Sequence, residues 1–328
     1  MSASGADGRG RPGGRGRQGG EAGHGYHLPV MADEIVEQLV IDKQGAYLDA
    51  TLGGGGHSSR ILAALGDGGS VLGLDRDSEA VDRNRKNFAA EPRMRVERSE
   101  FGRVAEFCAP ESLAGALFDL GVSSRQLDAK ERGFSFASGT ALDMRMGGEG
   151  VSAADLLAKW TERELAMVLF RNADINEGRK LAHNIKADME AGAPMDSDLI
   201  RRAVEKLPGM RDENRNGMLA RAFQAIRMEV NDEIGEVGNG LRAAVAALRT
   251  GGRLCVLSYH SVEDRKVKET IAEFERDCIC APNLPVCVCG SNNRKLRKVL
   301  RKPGLPTAEE MARNPRARSA KLRVAEKV

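Results

Sequence analysis

Tyr47-Leu48-Asp49-Ala50-Thr51-Leu52-Gly53-Gly54-Gly55-Gly56-His57 decides how the chain reads. A short apolar run meets an acid and then four consecutive glycines. Ser58 and Ser59 follow, and Arg60-Ile61-Leu62-Ala63-Ala64-Leu65 has the spacing of an amphipathic helix. Strand, Gly-rich turn and helix N-terminus together form the place where a doubly wound α/β fold holds a nucleotide-like cofactor. Glycine admits positive φ and lets a ligand approach where a Cβ would otherwise stand. Either serine suits the helix cap.

The turn lacks the Gly-Lys-Ser/Thr of a P-loop. Gly53-x-Gly55 runs into Ser58 where a dinucleotide fingerprint wants glycine, so that match is weak. S-adenosylmethionine asks for something different. It has no phosphate but has a ribose, an adenine and a cationic sulfonium, which call for close backbone approach and for acids. Asp49 stands just before the glycines. Ser70-Val71-Leu72-Gly73-Leu74-Asp75 reads as the second strand, and a carboxylate at its end can take both ribose hydroxyls.

Further along, residues 93–99 alternate as a third strand and lead to Phe101, which either lies against adenine or joins the core. Ala116-Leu117-Phe118-Asp119-Leu120-Gly121 is a fourth strand that again ends in an acid. Asp49, Asp75 and Asp119 therefore close strands at the edge of the sheet where such folds bind ligands.

With 328 residues, 41% hydrophobic and 30% charged, the chain is globular, of one large domain or two ordinary ones. A net charge of +3 does not by itself predict nucleic-acid binding. No apolar run is long enough to span a bilayer and no signal core opens the chain, so no membrane role and a cytoplasmic location are expected. Residues 1–25 are Arg/Gly-rich and are expected to be disordered, either a weak single-strand nucleic-acid binder or a solvated tail.

Residues 125–147 read as a functional loop in which Phe134 and Phe136 either stack on a base or plug the loop onto the core. Residues 152–218 are helical in pattern, with a capping box at Thr161-Glu162-Arg163-Glu164. Long helices then return to a fifth strand at 251–260. Cys278-Ile279-Cys280 and Cys287-Val288-Cys289 either hold a structural zinc or remain reduced thiols. The basic C-terminal segment, from Arg294 to Arg323, is either a phosphate-contacting surface or a solvated edge hairpin.

These strings together resemble the MraW/RsmH family of small-subunit ribosomal RNA cytosine-N4 methyltransferases over residues 26–328. The resemblance rests on His27-Leu28-Pro29-Val30, on the glycine run, on Leu74-Asp75-Arg76-Asp77, and on Phe118-Asp119-Leu120-Gly121-Val122-Ser123-Ser124 with Gln126-Leu127-Asp128. Arg132-Gly133-Phe134-Ser135-Phe136, Leu142-Asp143-Met144-Arg145-Met146, Phe223-Gln224-Ala225-Ile226-Arg227, His260-Ser261-Val262-Glu263-Asp264-Arg265 and Asn314-Pro315-Arg316-Ala317-Arg318-Ser319-Ala320 complete it. It implies an α/β class I S-adenosylmethionine-dependent methyltransferase domain, mostly parallel in its sheet, built from 26–124 and 219–328. The segment 125–218 is then a loop plus α-helical substrate-recognition insert. Implied cofactor contacts are Gly55, Gly56, His57, Asp75, Phe101, Asp119 and Gln126. The implied target is N4 of the decoding-centre cytidine usually counted 1402 in 16S rRNA of the small ribosomal subunit; no DNA substrate is expected.

An exocyclic cytosine amine is a poor nucleophile, so alignment and an acceptor for an amine hydrogen matter. Asp119, a backbone carbonyl of its turn, His260 and Asp264 are the candidate acceptors. Competing readings are a non-catalytic RNA-binding assembly factor and a small-molecule or DNA methyltransferase.

Overall fold

The computed structural model describes residues 29–129, 132–281, 284 and 286–328. The Arg/Gly-rich tail and His27-Leu28 lie outside the described residues. The ordered elements start with α1 (Ala32–Leu39), β1 (Ala46–Asp49), α2 (Gly56–Ala64), β2 (Ser70–Asp75), α3 (Ser78–Asn87), β3 (Met94–Arg98) and β4 (Leu113–Asp119). A short α4 (Ser124–Asp128) follows. Next come α5 (Ala153–Lys159), α6 (Glu162–Ala173), α7 (Gly178–Glu190), α8 (Ser197–Glu205), α9 (Asp212–Val230) and α10 (Glu233–Ala247). The chain ends through β5 (Leu248–Ser258), α11 (Ser261–Phe274), β6 (Leu296–Lys298), α12 (Ala308–Arg313) and β7 (Lys321–Lys327).

Among the described residues, seven strands form one sheet in the order β3-β2-β1-β4-β5-β7-β6. β1 pairs in parallel with β2 and β4, and β4 with β5, whereas β7 runs antiparallel to β5 and β6. This is the α/β class I methyltransferase arrangement expected from the sequence. Strand order reverses between β1 and β4, so a crevice opens at their carboxyl ends. Central strands have helices on both sides and are nearly continuous in apolar residues: Leu113 through Phe118 are all buried.

Local chemistry sets the boundaries. Asp77 caps α3 by accepting from the Glu79 N–H at 3.1 Å, and Arg85 and Lys86 occupy the last turn, where they complement the helix dipole. Thr161 and Glu164 form the expected capping box of α6. Ser123 and Gln126 form another for α4.

The helical insert has its own core. Leu165, Leu169, Leu181, Ile185, Leu199 and Ile200 pack there with Leu219, Phe223 and Ile226. The boundary expected at residue 219 therefore falls inside α9, whose buried side chains all the way to Ile226 join the insert's cluster. The stretch read as a loop packs more deeply than its polar composition suggests: Phe134, Leu142, Met144 and Met146 are buried in the same cluster.

Candidate active site

The glycine turn is built around positive φ. Gly53 sits at φ 50° and Gly55 at φ 79°. A Cβ on Gly55 would overlap the Asn84 carboxamide and stand 2.9 Å from the Phe88 ring. The Asn84 amide also donates to the Gly53 carbonyl at 2.9 Å, so α3 holds the turn in place. α2 then starts at Gly56 with its first-turn N–H groups facing the crevice end of the sheet.

Three acids end three neighbouring strands, and each is held differently. Asp49 is buried and accepts from the Ser58 hydroxyl at 2.7 Å and the Thr51 N–H at 3.2 Å. Burial pushes its pKa up. Asp75 accepts one backbone N–H on each oxygen, Gly53 on Oδ2 and Asp77 on Oδ1, both at 2.8 Å. Burial raises its pKa to about 6. Asp119 has a quarter of its side chain exposed and lies 3.3 Å from His57 Nε2. Its other oxygen accepts from the Tyr259 hydroxyl at 2.7 Å. Burial and the Asp119 charge raise the Tyr259 pKa well above its ordinary value. For His57, burial works against the charged ring, but Asp119 and Asp49 outweigh it and its pKa is raised.

The remaining sequence candidates take definite places. Gln126 is buried and uses both ends of its carboxamide: Oε1 accepts from the Ser123 N–H and Nε2 donates to Asp77 at 3.1 Å. Phe101 packs edge-on against Phe118, with ring centroids 5.9 Å apart. Phe134 is buried in the insert core, which leaves no open face for a base to stack on, and Phe136 packs edge-on to Phe223 at 6.0 Å. His260 caps α11 and pairs with the buried Glu263 at 2.8 Å. Asp264 pairs with Arg323 at 2.6 Å and with Lys321 at 3.5 Å; burial opposes its ionisation, but these cations hold its pKa low.

Two residues of the site are not among the site candidates named from the sequence. Asp77 accepts from both Gln126 and Arg132 at 3.1 Å and so ties the 125–147 segment to the end of β2. Tyr259 is the direct partner of Asp119. Its position at the end of the fifth strand, at the same edge as the acids, was the available signal.

The sequence profile of the MraW methylase family matches residues 24–328. The chain belongs to the MraW methylase family. It is 40% identical over 311 residues to ribosomal RNA small subunit methyltransferase H of Caldicellulosiruptor saccharolyticus, covering 92% of this chain and 99% of that protein. It is 42% identical over 315 residues to the protein of the same name from Trichlorobacter lovleyi, covering 92% and 98%. An rRNA methylase structure from Streptococcus thermophilus aligns at 11% identity and TM-score 0.40 over 90% of this chain and 93% of that one.

Fold and family make this chain an S-adenosylmethionine-dependent methyltransferase. The crevice fits that cofactor: a positive-φ glycine turn at the end of β1 and, beside it, a carboxylate with two lone pairs left over from its backbone bonds. Among the described residues, no helix is long and apolar enough to cross a membrane.

Proposed function

We propose that this chain methylates the N4 amine of a cytidine, the one usually counted 1402, in 16S rRNA of the small ribosomal subunit. The observation that carries the reading is the row of strand-end acids beside a glycine turn, in a chain whose relatives, matched over nearly their whole length, are named ribosomal RNA small subunit methyltransferase H. When bound, the cofactor supplies a methyl group on a cationic sulfur.

The chain's own residues then do three things. Asp75 presents one free lone pair per oxygen, which suits a vicinal diol. Gly53 to Gly56 let the backbone lie close against the ligand. Asp119 accepts a hydrogen of the incoming amine, which turns the nitrogen lone pair toward the methyl group and disperses developing charge. It suits the role because it is partly open, whereas Asp264 is held by Arg323 and Lys321 and Glu263 is enclosed with His260. Tyr259 and His57 position the Asp119 carboxylate from its two sides. The target base has to leave its stack to reach this edge.

The test is methyl transfer from labelled S-adenosylmethionine to small subunits lacking the modification, with free 16S rRNA and DNA in parallel and the labelled nucleoside identified. N4-methylated cytidine on subunits, lost in Asp75→Ala, is the expected result. No transfer to any of them, with RNA binding intact, would replace this reading with that of a binding factor.

A further inference from the structure

The four clustered cysteines lie far from this chemistry. α11 starts at the active edge of the sheet and its 14 residues run about 21 Å away from it. Cys278, Cys280, Cys287 and Cys289 follow that far end. The chain then enters β6 at Leu296, which pairs with Lys327 at the end of β7.

Their sulfur atoms converge. Cys287 Sγ is 3.7 Å from Cys278, 3.9 Å from Cys280 and 3.6 Å from Cys289, and Cys278 to Cys289 is 3.8 Å. All four lie within 4.8 Å of one another. A metal bound by four thiolates at about 2.3 Å in a regular tetrahedron sets its sulfurs about 3.8 Å apart. The observed spacing is therefore that of one mononuclear tetrahedral site. It is too tight for ligands spread around several irons of a cluster.

The backbone repeats the pattern with near two-fold symmetry. The Ile279 N–H donates to Cys289 Sγ at 3.4 Å, and the Val288 N–H donates to Cys280 Sγ at 3.3 Å. Each C-x-C thus offers its middle N–H to the second sulfur of the other pair, and such donors stabilise charge on sulfur.

The loop has little else to hold it. Ile279, Leu284, Val286 and Val288 are 63%, 48%, 71% and 78% exposed. Its base is closed, with Asn293 bonded to the Asp277 carbonyl and Arg294 paired with Asp277. Its tip carries no regular element among the described residues. A segment whose apolar side chains face outward cannot be fixed by burial, and a metal can supply that fixation.

We propose that Cys278, Cys280, Cys287 and Cys289 bind one structural zinc ion that staples the loop between α11 and β6. The soft all-thiolate donor set and closed tetrahedral geometry favour zinc. All four positions are taken by protein, so the ion has no open site for catalysis.

The test uses the full chain without a metal-binding tag, grown with zinc supplied and purified under reducing conditions. Elemental analysis should find about one zinc per chain, and a mercurial that blocks the thiols should release it. Replacement by Co2+ should give the intense visible bands of tetrahedral tetrathiolate cobalt. Cys287→Ser and Cys289→Ser should each lose the zinc, while binding of S-adenosylhomocysteine stays within about threefold and proteolytic cleavage in the loop speeds up. That retained binding shows the variants are folded and separates this proposal from the one about rRNA. Less than about a tenth of a zinc per chain with four titratable thiols, a stoichiometric iron, paired disulfides, or variants that keep their zinc would each overturn it.

Discussion

Asp75→Asn separates cofactor recognition from folding. In the native site each carboxylate oxygen already accepts a backbone N–H at 2.8 Å, which leaves one lone pair per oxygen for a ribose hydroxyl. An asparagine turns one oxygen into an NH2 whichever way it flips. One hydroxyl loses its acceptor, and the other exchanges a charged acceptor for a neutral one. The first loss is worth about 1.5–3 kcal/mol and the second roughly half a kcal/mol or more. Binding should weaken by about 2–4 kcal/mol, on the order of 30- to 1,000-fold. Stability should change little, because two terms oppose. The amide faces a backbone donor, at a cost of about 1–3 kcal/mol. It also removes a carboxylate whose ionisation, with its pKa raised to about 6, opposes folding by at most about 3 kcal/mol. Titration calorimetry with S-adenosylhomocysteine, beside a thermal melt, reads both. An affinity within threefold of wild type would refute the assignment of Asp75 to the ribose.

The same carboxyl predicts opposite pH trends. Its folded-state pKa is raised, so its contribution to stability falls as pH rises from about 4 through about 6 and is level above. Cofactor affinity, which needs the ionised form, should instead climb about tenfold per pH unit up to about 6; melts and calorimetry across that range check both. Asp119→Asn should lower kcat by about 100-fold or more with S-adenosylhomocysteine affinity kept within about fivefold; a collapse of affinity instead would assign the acid to the cofactor. Tyr259→Phe, which removes the 2.7 Å donor to Asp119, should lower kcat about tenfold at unchanged KM in single-turnover and steady-state assays. Arg227→Leu breaks the buried pair with Glu233, held at 2.7 and 2.9 Å, and should cost about 3–5 kcal/mol in urea unfolding. The double change Arg227→Met with Glu233→Met should recover most of that.

The cofactor half was legible because its signals are local. A strand ending in an acid, four glycines and a helix start lie within about twenty residues, and period and turn chemistry are enough to read them. The expected second strand, 70–75, matches the observed one residue for residue. What the sequence hid is what depends on distant partners. Phe134 and Phe136 stand in a stretch without helical period, and only the fold shows that α9 supplies the Phe223 that Phe136 packs beside and that Phe134 is buried in the same core. His260 and Asp264 look like chemistry in a motif, but in space His260 caps a helix and Asp264 faces Arg323, 59 residues away. Nothing in the spacing of Asp119 and Tyr259, 140 residues apart, announces their bond.

Long-range polar bonds also explain how a helical insert with its own core can serve a site on the sheet. Asn231, buried where α9 gives way to α10, accepts from the Met146 N–H at 2.9 Å and donates to the Met144 carbonyl at 2.7 Å. Arg76, just past Asp75, donates to the Asn231 carbonyl at 3.1 Å. Arg132 spans from Asp77 to the Met146 carbonyl at 2.7 Å. The residues flanking Asp75 are therefore the same ones that anchor both ends of the insert. Satisfied buried hydrogen bonds of this kind have one good geometry, and losing one partner leaves the others unpaired at about 1–3 kcal/mol each. Apolar packing alone would let the insert slide over the sheet by fractions of a side chain, and a methyl transfer that depends on alignment does not tolerate that. The Asp75-Arg76-Asp77 run thus ties the position of the insert to the end of β2, where the proposed cofactor contact lies.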